Sequence, residues 1–331
     1  MMSLDASGEA ARKPESAPVG DSDLVLEIGQ ATDPGVVRRE NEDALAFECP
    51  PDPVLRRERG ALFVVCDGIG GLVAGDYASQ RAVRVFIGQY YAAPKGTCDR
   101  MLRYAAEQTN RDLGRGQHNL PSVSPMGTTL VAALVIGRQL WVLNVGDSRA
   151  YIWRQAVLRQ ISRDHTPDPH RRAGDRRINR ALGTDPAVVA DVFGPLPLAP
   201  GDRVLLCTDG LTTVVAEAQI ARILGEFASA EAARQLVEQA KTSGTRDNTT
   251  VITVGVKGED QPAFAAAPVP RGQRWFALIQ RWLAGITWHD ANPAALLLEH
   301  GWRTRRGAMI LAGWLAGAVL LGMMLGWFMR R

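Results

Sequence analysis

Seven short runs of aliphatic and β-branched residues recur along the middle of the chain and constrain its fold more than any other feature. They lie near residue 25 and at 61–66, 128–136, 139–145, 149–153, 202–207 and 248–256. Several follow one another through turns of a few residues, such as Ile136-Gly137-Arg138. Parallel strands need a long crossover, whereas antiparallel strands need only a turn. The spacing therefore predicts mostly antiparallel sheets.

Four segments with apolar residues at helical spacing accompany these runs. They span residues 76–91, 101–113, 217–224 and 231–240. A single apolar face on each helix predicts that the helices pack outside the sheets rather than between them. The chain is therefore expected to have an α+β fold over residues 23–257.

The charge distribution limits the kinds of partner. The chain has 331 residues, of which 46% are apolar and 22% charged, as is usual for a globular protein. Its net charge of +3 is uneven, because the residues from 269 onward hold eight arginines against Asp290 and Glu299. Residues 1–268 are mildly acidic. Nucleic-acid binding depends on clustered Lys and Arg, so nucleic acid is not expected as a partner.

Residues 307–329 form an uncharged apolar run near the C-terminus. As a helix the run would be about 34 Å long, enough to cross a hydrocarbon core of about 30 Å. More arginines precede the run than follow it, and the N-terminus has no signal-peptide pattern. We therefore expect a single-pass, C-terminal membrane anchor, with the large domain on the cytoplasmic side.

The remaining segments connect or extend this arrangement. Residues 1–22 are expected to be a disordered leader, and the Ala/Pro-rich residues 258–273 a linker. Residues 274–306 begin with an amphipathic pattern that either lies on the membrane surface or packs on the soluble domain; both remain open. Small residues in the anchor, Gly313/Gly317 and Gly322/Gly326, would allow a homodimer, although glycine is also frequent in membrane helices that stay single.

Acidic residues stand at the ends of the apolar runs. They are Asp43, Asp67, Asp147, Asp209 and Asp247. An aspartate at a strand end is usually a solvated turn residue, but five such positions would gather at one edge of a sandwich. Gathered carboxylates repel one another unless cations are bound. Oxygen ligands without a histidine cluster favour Mg²⁺ or Mn²⁺ over zinc.

Seven sequence blocks in register then resemble a known family. They are GVVRRENEDA (35–44), DGIGGLVAGDYAS (67–79), MGTT (126–129), VGDSRAY (145–151), RALG (180–183), CTDGL (207–211) and RDNTTV (246–251). Together they resemble the metal-dependent serine/threonine protein phosphatases of type 2C, in a bacterial-like form. The resemblance implies a four-layer α/β/β/α sandwich with a two-metal centre between the sheets.

The resemblance also implies roles for individual residues. Asp67 would bridge two ions, Mn²⁺ or Mg²⁺, and the carbonyl of Gly68 would bind one of them. Asp209 and Asp247 would complete the ligands of the other ion. Glu42 and Asp43 would hold metal-bound waters, with Asp43 sometimes counted as a ligand.

Arg38 matches the family's phosphate-binding arginine, although from the residues alone it would be interpreted as a surface charge beside Arg39. Its planar guanidinium suits two phosphate oxygens at once. The implied reaction is hydrolysis of phosphoserine and phosphothreonine by a metal-bridged hydroxide, with no covalent phosphoenzyme.

The chain departs from the family pattern at several places. Ile69 stands where animal members have a histidine, so a metal-bound water is expected to protonate the leaving group. A third ion would be held by Asp147 and a second aspartate, but Thr213 occupies the second position. The segment 164–178 is shorter and more basic than the usual flap; it either attracts acidic phosphosegments or is a solvated loop.

Three functions are therefore compared. The first is an active phosphatase tethered to the membrane that opposes a Ser/Thr kinase or acts on its targets. The second is a non-catalytic phosphoprotein sensor or scaffold on the same fold, suggested by Thr213 and the altered flap. The third is a membrane recruitment platform built on the 274–288 segment.

Overall fold

The computed structural model describes residues 24–70, 72–119, 126–166 and 178–258. Its strands are β1 (Val25–Asp33), β2 (Ala44–Glu48), β3 (Ala61–Cys66), β4 (Gly68–Ile69), β5 (Gly127–Thr128), β6 (Leu130–Ile136), β7 (Gln139–Val145), β8 (Arg149–Arg154), β9 (Val157–Gln160), β10 (Asp191–Pro197), β11 (Arg203–Cys207) and β12 (Thr249–Lys257). Its helices are α1 (Pro53–Arg59), α2 (Leu72–Ala92), α3 (Cys98–Asn119), α4 (Asp209–Thr212), α5 (Glu217–Glu226) and α6 (Ser229–Thr242).

Two five-stranded sheets form the centre of the domain. The first has the order β1-β12-β11-β8-β9, and the second has the order β10-β7-β6-β3-β2. The short strands β4 and β5 pair separately. Neighbouring strands are antiparallel in every pairing between these elements. The prediction of antiparallel sheets is confirmed.

Three apolar clusters hold the layers together. One lies between the sheets, where Phe63 and Val131 of the second sheet join Leu206 and Ile252 of the first. Another packs α2 and α3 on the second sheet, and the third packs α5 and α6 on the first. Strands β3, β6 and β12 contribute side chains to two clusters each, because successive residues of a strand point to opposite faces. That explains their continuous apolar sequences, which differ from the alternating pattern of a half-exposed strand.

The seven runs and four helical segments leave out the edge strands β2, β9 and β10, the two-residue strand β4 and the short helices α1 and α4. Strand β9 has only four residues, and β10 contains two prolines and a register shift beside β7. Proline cannot donate to a ladder, so it is confined to edges and irregular positions, which weakens a strand signal. Helix α1 has few apolar residues, and its side chains are mostly exposed. Strands β9 and β10 and helix α1 bury too little to leave a periodic pattern.

The strand registers bring the predicted acidic residues to one edge of both sheets. Asp43 precedes β2 and Asp67 follows β3, and the paired residues Ala44 and Cys66 place these two ends side by side. Asp209 follows β11 and Asp247 precedes β12, whose ends also lie together. Asp147 follows β7, which ends beside the start of β6. The pairing of the strands therefore gathers Asp43, Asp67 and Asp147 at one end of the second sheet, and Asp209 and Asp247 at one end of the first.

The predicted segments at both ends of the chain lie outside the described residues. These are the leader at 1–22, nearly all of the linker at 258–273, the juxtamembrane segment at 274–306 and the membrane span at 307–329. Within the part of the chain that is described, no helix has the length and apolar character needed to cross a bilayer.

Two glycines are expected to respond in opposite ways to replacement by alanine. Gly88 lies within α2, and a Cβ there would meet no atom within 4 Å. Gly88→Ala should raise the free energy of unfolding by about 0.5–1 kcal/mol because alanine loses less backbone entropy. At Gly29 a Cβ would lie 2.1 Å from the Ser229 carbonyl oxygen. Gly29→Ala should therefore lower the free energy of unfolding by about 1–3 kcal/mol. Urea denaturation of both variants checks the signs.

Candidate active site

Asp67 lies at the centre of the gathered carboxylates. Its backbone is fixed on both sides, because its N–H donates to Thr129 Oγ1 (2.9 Å) and its carbonyl accepts from Thr128 Oγ1 (2.8 Å). Burial is the main cause that raises the pKa of Asp67 well above its ordinary value. Four further carboxylates raise this pKa in turn: Asp43, Asp209, Asp147 and Asp247. Asp67 is thus within electrostatic reach of carboxylates from both sheets.

Asp43 and Glu42 are buried beside Asp67's strand. Thr208 Oγ1 donates to Asp43 Oδ2 at 2.9 Å, a contact that joins the loop before β2 to the end of β11. Burial raises the pKa of Asp43 to about 7, in spite of hydrogen bonds that lower it. Burial also raises the pKa of Glu42, while the charge of Arg38 lowers it. The second carboxylate oxygens, Asp43 Oδ1 and Glu42 Oε1, are buried and have no hydrogen-bond partner among the described residues.

Asn248 fastens the loop that carries Arg38, Glu42 and Asp43. Its Nδ2 donates to the carbonyls of Pro34 (3.0 Å) and Glu40 (2.9 Å), and its Oδ1 accepts from the Glu42 N–H (2.9 Å). Asn248 lies between Asp247 and β12, so these bonds link the loop that carries Asp247 to the loop of residues 34–42.

Arg38 contacts a predicted metal ligand. Its Nη2 lies 3.1 Å from Asp247 Oδ1 and 3.3 Å from Asp247 Oδ2. Both side chains are about half exposed. An exposed ion pair of this kind adds little to stability, so its importance is positional. Arg38 is thus an exposed side chain that pairs with Asp247.

Gly68 is a position where only glycine fits. A Cβ there would lie 2.3 Å from the Gly75 carbonyl oxygen and 2.6 Å from that of Glu42. Gly75, on α2, in turn has the Glu42 carboxyl carbon 3.1 Å from its own Cβ position. The two glycines thus allow strand β4, helix α2 and the Glu42 loop to approach one another at the site.

The available groups match hard divalent cations in their donor chemistry. All of the gathered side chains present oxygen, and two buried carboxylate oxygens have no partner in the described part of the chain. Across the same residues, no group of three or more His, Cys, Asp or Glu side chains is already arranged to hold an ion. The carboxylates therefore raise the pKa of Asp67 and of Asp43 without closing around one point. Water and backbone oxygens such as that of Gly68 would have to complete any ligand set.

Of the two positions that would hold a third ion, Asp147 has a carboxylate and Thr213 does not. Asp147 is buried and is one of the carboxylates that raise the pKa of Asp67. Thr213 has no carboxylate, and its Oγ1 donates to the Asp209 carbonyl at 2.6 Å. Residues 167–177 of the basic segment lie outside the described residues.

Comparison with known proteins decides the family. The pattern of protein phosphatase 2C matches residues 34–196. The serine/threonine phosphatase stp of Listeria monocytogenes is 32% identical over 242 residues, which cover 67% of this chain and 93% of that protein. The chain belongs to the protein phosphatase 2C family. It is a metal-dependent serine/threonine protein phosphatase.

Two further comparisons concern the phosphatase PstP. The PstP of Mycobacterium tuberculosis is 32% identical over 262 residues, 74% of this chain and 48% of PstP. The structure of the PstP catalytic domain with two manganese ions has a TM-score of 0.60 and 32% identity, and the match covers 71% of this chain and all of that domain. The cofactors predicted for this phosphatase, two ions of Mn²⁺ or Mg²⁺, are thereby confirmed.

Asn248→Ala is expected to impair this phosphatase in both stability and turnover. Three backbone groups lose a buried partner, which should lower the free energy of unfolding by about 2–4 kcal/mol. Released from Asn248, the loop no longer holds Arg38 and Glu42 in place, so kcat/KM should fall at least about tenfold. Urea denaturation and phosphate release from a phosphothreonine peptide measure the two effects.

Asn110→Ala is the matched control. Asn110 is equally buried and also binds three backbone groups, the carbonyls of Asp185 and Pro186 and the N–H of Gly183. Asn110→Ala should lower the free energy of unfolding by a similar amount, but it should change kcat/KM by less than about threefold. Equal losses of turnover in both variants would show that Asn248 acts through general stability only.

Proposed function

We propose that this chain hydrolyses phosphoserine and phosphothreonine in proteins through the carboxylates at the common edge of its two sheets. The observation that carries the proposal is the convergence of carboxylates from both sheets, which raise the pKa of Asp67 and of Asp43. Unpartnered oxygens on Glu42 and Asp43 in the described part of the chain support it, since such groups are costly to bury without a ligand.

Each carboxylate has a role in the proposal. Asp67 would contact both ions, and Asp43, Asp209, Asp247 and the Gly68 carbonyl would hold them from either side. A pair of divalent ions, when bound, lowers the pKa of coordinated water and offsets charge on the phosphoryl group. Asp147 is the residue for a third ion, which would lack a second aspartate because Thr213 stands at that position.

Arg38 would bind the phosphate of the substrate. Its guanidinium has five N–H donors in a planar fork, and its Nη2 already contacts Asp247. The N–H donors that do not face Asp247 would reach the phosphate oxygens. Contact with Asp247 would keep the fork directed at the site before the substrate binds.

Glu42 would orient water rather than bind phosphate. Its carboxylate is buried, and although Arg38 is nearby, the acidic Asp247, Glu40 and Asp76 also act on it, so a phosphate would be repelled there. Its unpartnered Oε1 is available to accept a hydrogen bond from a water beside the phosphoryl group. Thus Arg38 would bind the phosphate of the substrate, and Glu42 would orient the water.

Phosphate release from a phosphothreonine peptide tests this function. The full chain with Mn²⁺ should turn over many times, and excess EDTA should abolish release. Stoichiometric capture of the phosphopeptide without turnover would instead support the alternative, a non-catalytic sensor or scaffold.

We also propose that the enzyme is tethered to the cytoplasmic face of a membrane and opposes a Ser/Thr kinase there. The support is the uncharged run at 307–329 and the arginines that precede it. A chain ending after residue 258 should lose membrane fractionation but keep peptide turnover. Recovery of the full chain in the soluble fraction would contradict the tether, and cross-linking in membranes would test the homodimer through the same helix.

A further inference from the structure

Two adjacent valines are exposed next to Arg38. Val36 and Val37 have 59% and 54% of their surface accessible. Both belong to the turn between β1 and the buried Glu42. Most of the surface of both valines is left accessible, so packing within the described part of the fold uses only the smaller share of it.

The turn that carries these valines is held firmly. The Gly35 N–H donates to Asp33 Oδ1 (2.9 Å), and the Val36 N–H donates to the Thr245 carbonyl (3.4 Å). Gly35 has a φ of +79°, and a Cβ there would lie 2.4 Å from the Asp247 carbonyl oxygen. Together with the bonds from Asn248 to the carbonyls on either side, these contacts fix the backbone. Because valine also has few side-chain rotamers, its two methyl groups are presented in a defined place.

The same contacts place the valine pair at the rim of the active site. Val36 is bonded to Thr245, two residues before Asp247, and Val37 directly precedes Arg38. Consecutive residues of an extended peptide advance about 3.3 Å each. A peptide whose phosphate is bound by Arg38 would therefore bring its neighbouring residues past Val36 and Val37.

We infer that Val36 and Val37 form a specificity contact for a large aliphatic side chain within two residues of the phosphorylated serine or threonine. The inference rests on the proposed function, and it names the substrate class as phosphoproteins with an apolar residue beside the phosphosite. The exposed arginines Arg39 and Arg246 flank the same rim, and they would favour an acidic neighbour instead. Val37 and Arg39 both adjoin Arg38, but the valine turn is held by backbone contacts and valine has few rotamers, whereas an arginine side chain is long and flexible. The apolar neighbour is therefore the one inferred.

A panel of phosphothreonine peptides tests the inference. Each peptide carries leucine, serine or aspartate at one position from two residues before to two residues after the phosphothreonine, and all are assayed with the full chain and Mn²⁺. At one or more positions, leucine should raise kcat/KM about five- to tenfold over serine, mainly through a lower KM, as expected for partial burial of one side chain.

The double variant Val36→Ser with Val37→Ser should lose this preference and keep the wild-type kcat/KM for serine-flanked peptides. Val189→Ser is the matched control, since Val189 is 61% exposed but lies beside α3, where Ala190 accepts from Arg103. It should keep the full preference for leucine.

Three results would overturn the inference. The first is equal turnover of leucine and serine peptides by the wild-type chain, and the second is a leucine preference that survives in the double variant. The third is a preference for aspartate, which would assign recognition to Arg39 and Arg246. All three leave the phosphatase function intact, whereas failure to hydrolyse any peptide with Mn²⁺ present would remove the proposed function and this inference with it.

Discussion

Asp67→Asn is expected to lower kcat/KM for a phosphothreonine peptide by about a thousandfold or more and, at the same time, to stabilise the metal-free protein. Asp67 is the residue whose pKa responds to carboxylates from both sheets, so its loss removes the contact proposed for both ions. Its neutral replacement also relieves the repulsion among those carboxylates, which should raise the free energy of unfolding in EDTA by about 1 kcal/mol or more. Peptide turnover and urea denaturation measure the two changes.

Asp67→Asn should thus lower kcat/KM while raising the free energy of unfolding, whereas a variant that damages the fold would lower both. Asp99→Asn is a control that removes an exposed carboxylate from α3, where it pairs with Arg103 at 2.9 Å. Asp99→Asn should change kcat/KM by less than about twofold and the free energy of unfolding by less than about 0.5 kcal/mol. A variant at Asp67 that is both inactive and clearly less stable in EDTA would show that the carboxylate supports the fold instead of the reaction.

The metal-free protein is expected to lose stability as the pH rises from about 4 to 7. An unfolded aspartate titrates near pH 3.9, whereas burial raises the pKa of folded Asp43 to about 7. Between these values the folded chain holds a proton that the unfolded chain releases, so the free energy of unfolding falls with increasing pH. Asp67, whose pKa is also raised, acts in the same direction.

Mn²⁺ should reverse this loss above pH 7 and have little effect at pH 5. Cations bind the deprotonated carboxylates of the folded chain, and saturation at about a hundred times the Kd adds about 2.7 kcal/mol. For a domain of this size the Tm should rise by about 5–10 °C at pH 8. Thermal unfolding in EDTA and in Mn²⁺ at the two pH values checks the sign. A stabilisation by Mn²⁺ that is equal at pH 5 and pH 8 would show that the carboxylates are not the ligands.

The buried strands were predictable because their surroundings are apolar on both faces. Residues 61–66 and 139–145 were delimited from sequence alone with the same bounds as β3 and β7. Their long aliphatic runs reflect the three-cluster arrangement, in which central strands pack against the other sheet and against helices. Edge strands β9 and β10 and helix α1 left no comparable pattern, because their side chains are mostly exposed or their backbone is irregular.

The carboxylates of the site could be predicted from the sequence, whereas the hydrogen bonds that hold them in place could not. Each predicted aspartate follows or precedes a strand, a position that sequence marks clearly. The hydrogen bond from Thr208 to Asp43 and the three bonds of Asn248 join positions about 165 to 214 residues apart, and no local pattern signals such a partner. The contacts of Thr128 and Thr129 with the backbone of Asp67 likewise join positions 61 and 62 residues apart.

Titration of the metal-stripped full chain with Mn²⁺, with bound metal and phosphate release followed together, tests the role of the gathered carboxylates most directly. Release should be absent without metal and should reach its plateau at two ions per chain. Asp67→Asn should abolish both the binding and the release. Full phosphate release in the presence of chelator, or unchanged Mn²⁺ binding by Asp67→Asn, would contradict the assignment of this edge of the sheets as the catalytic centre.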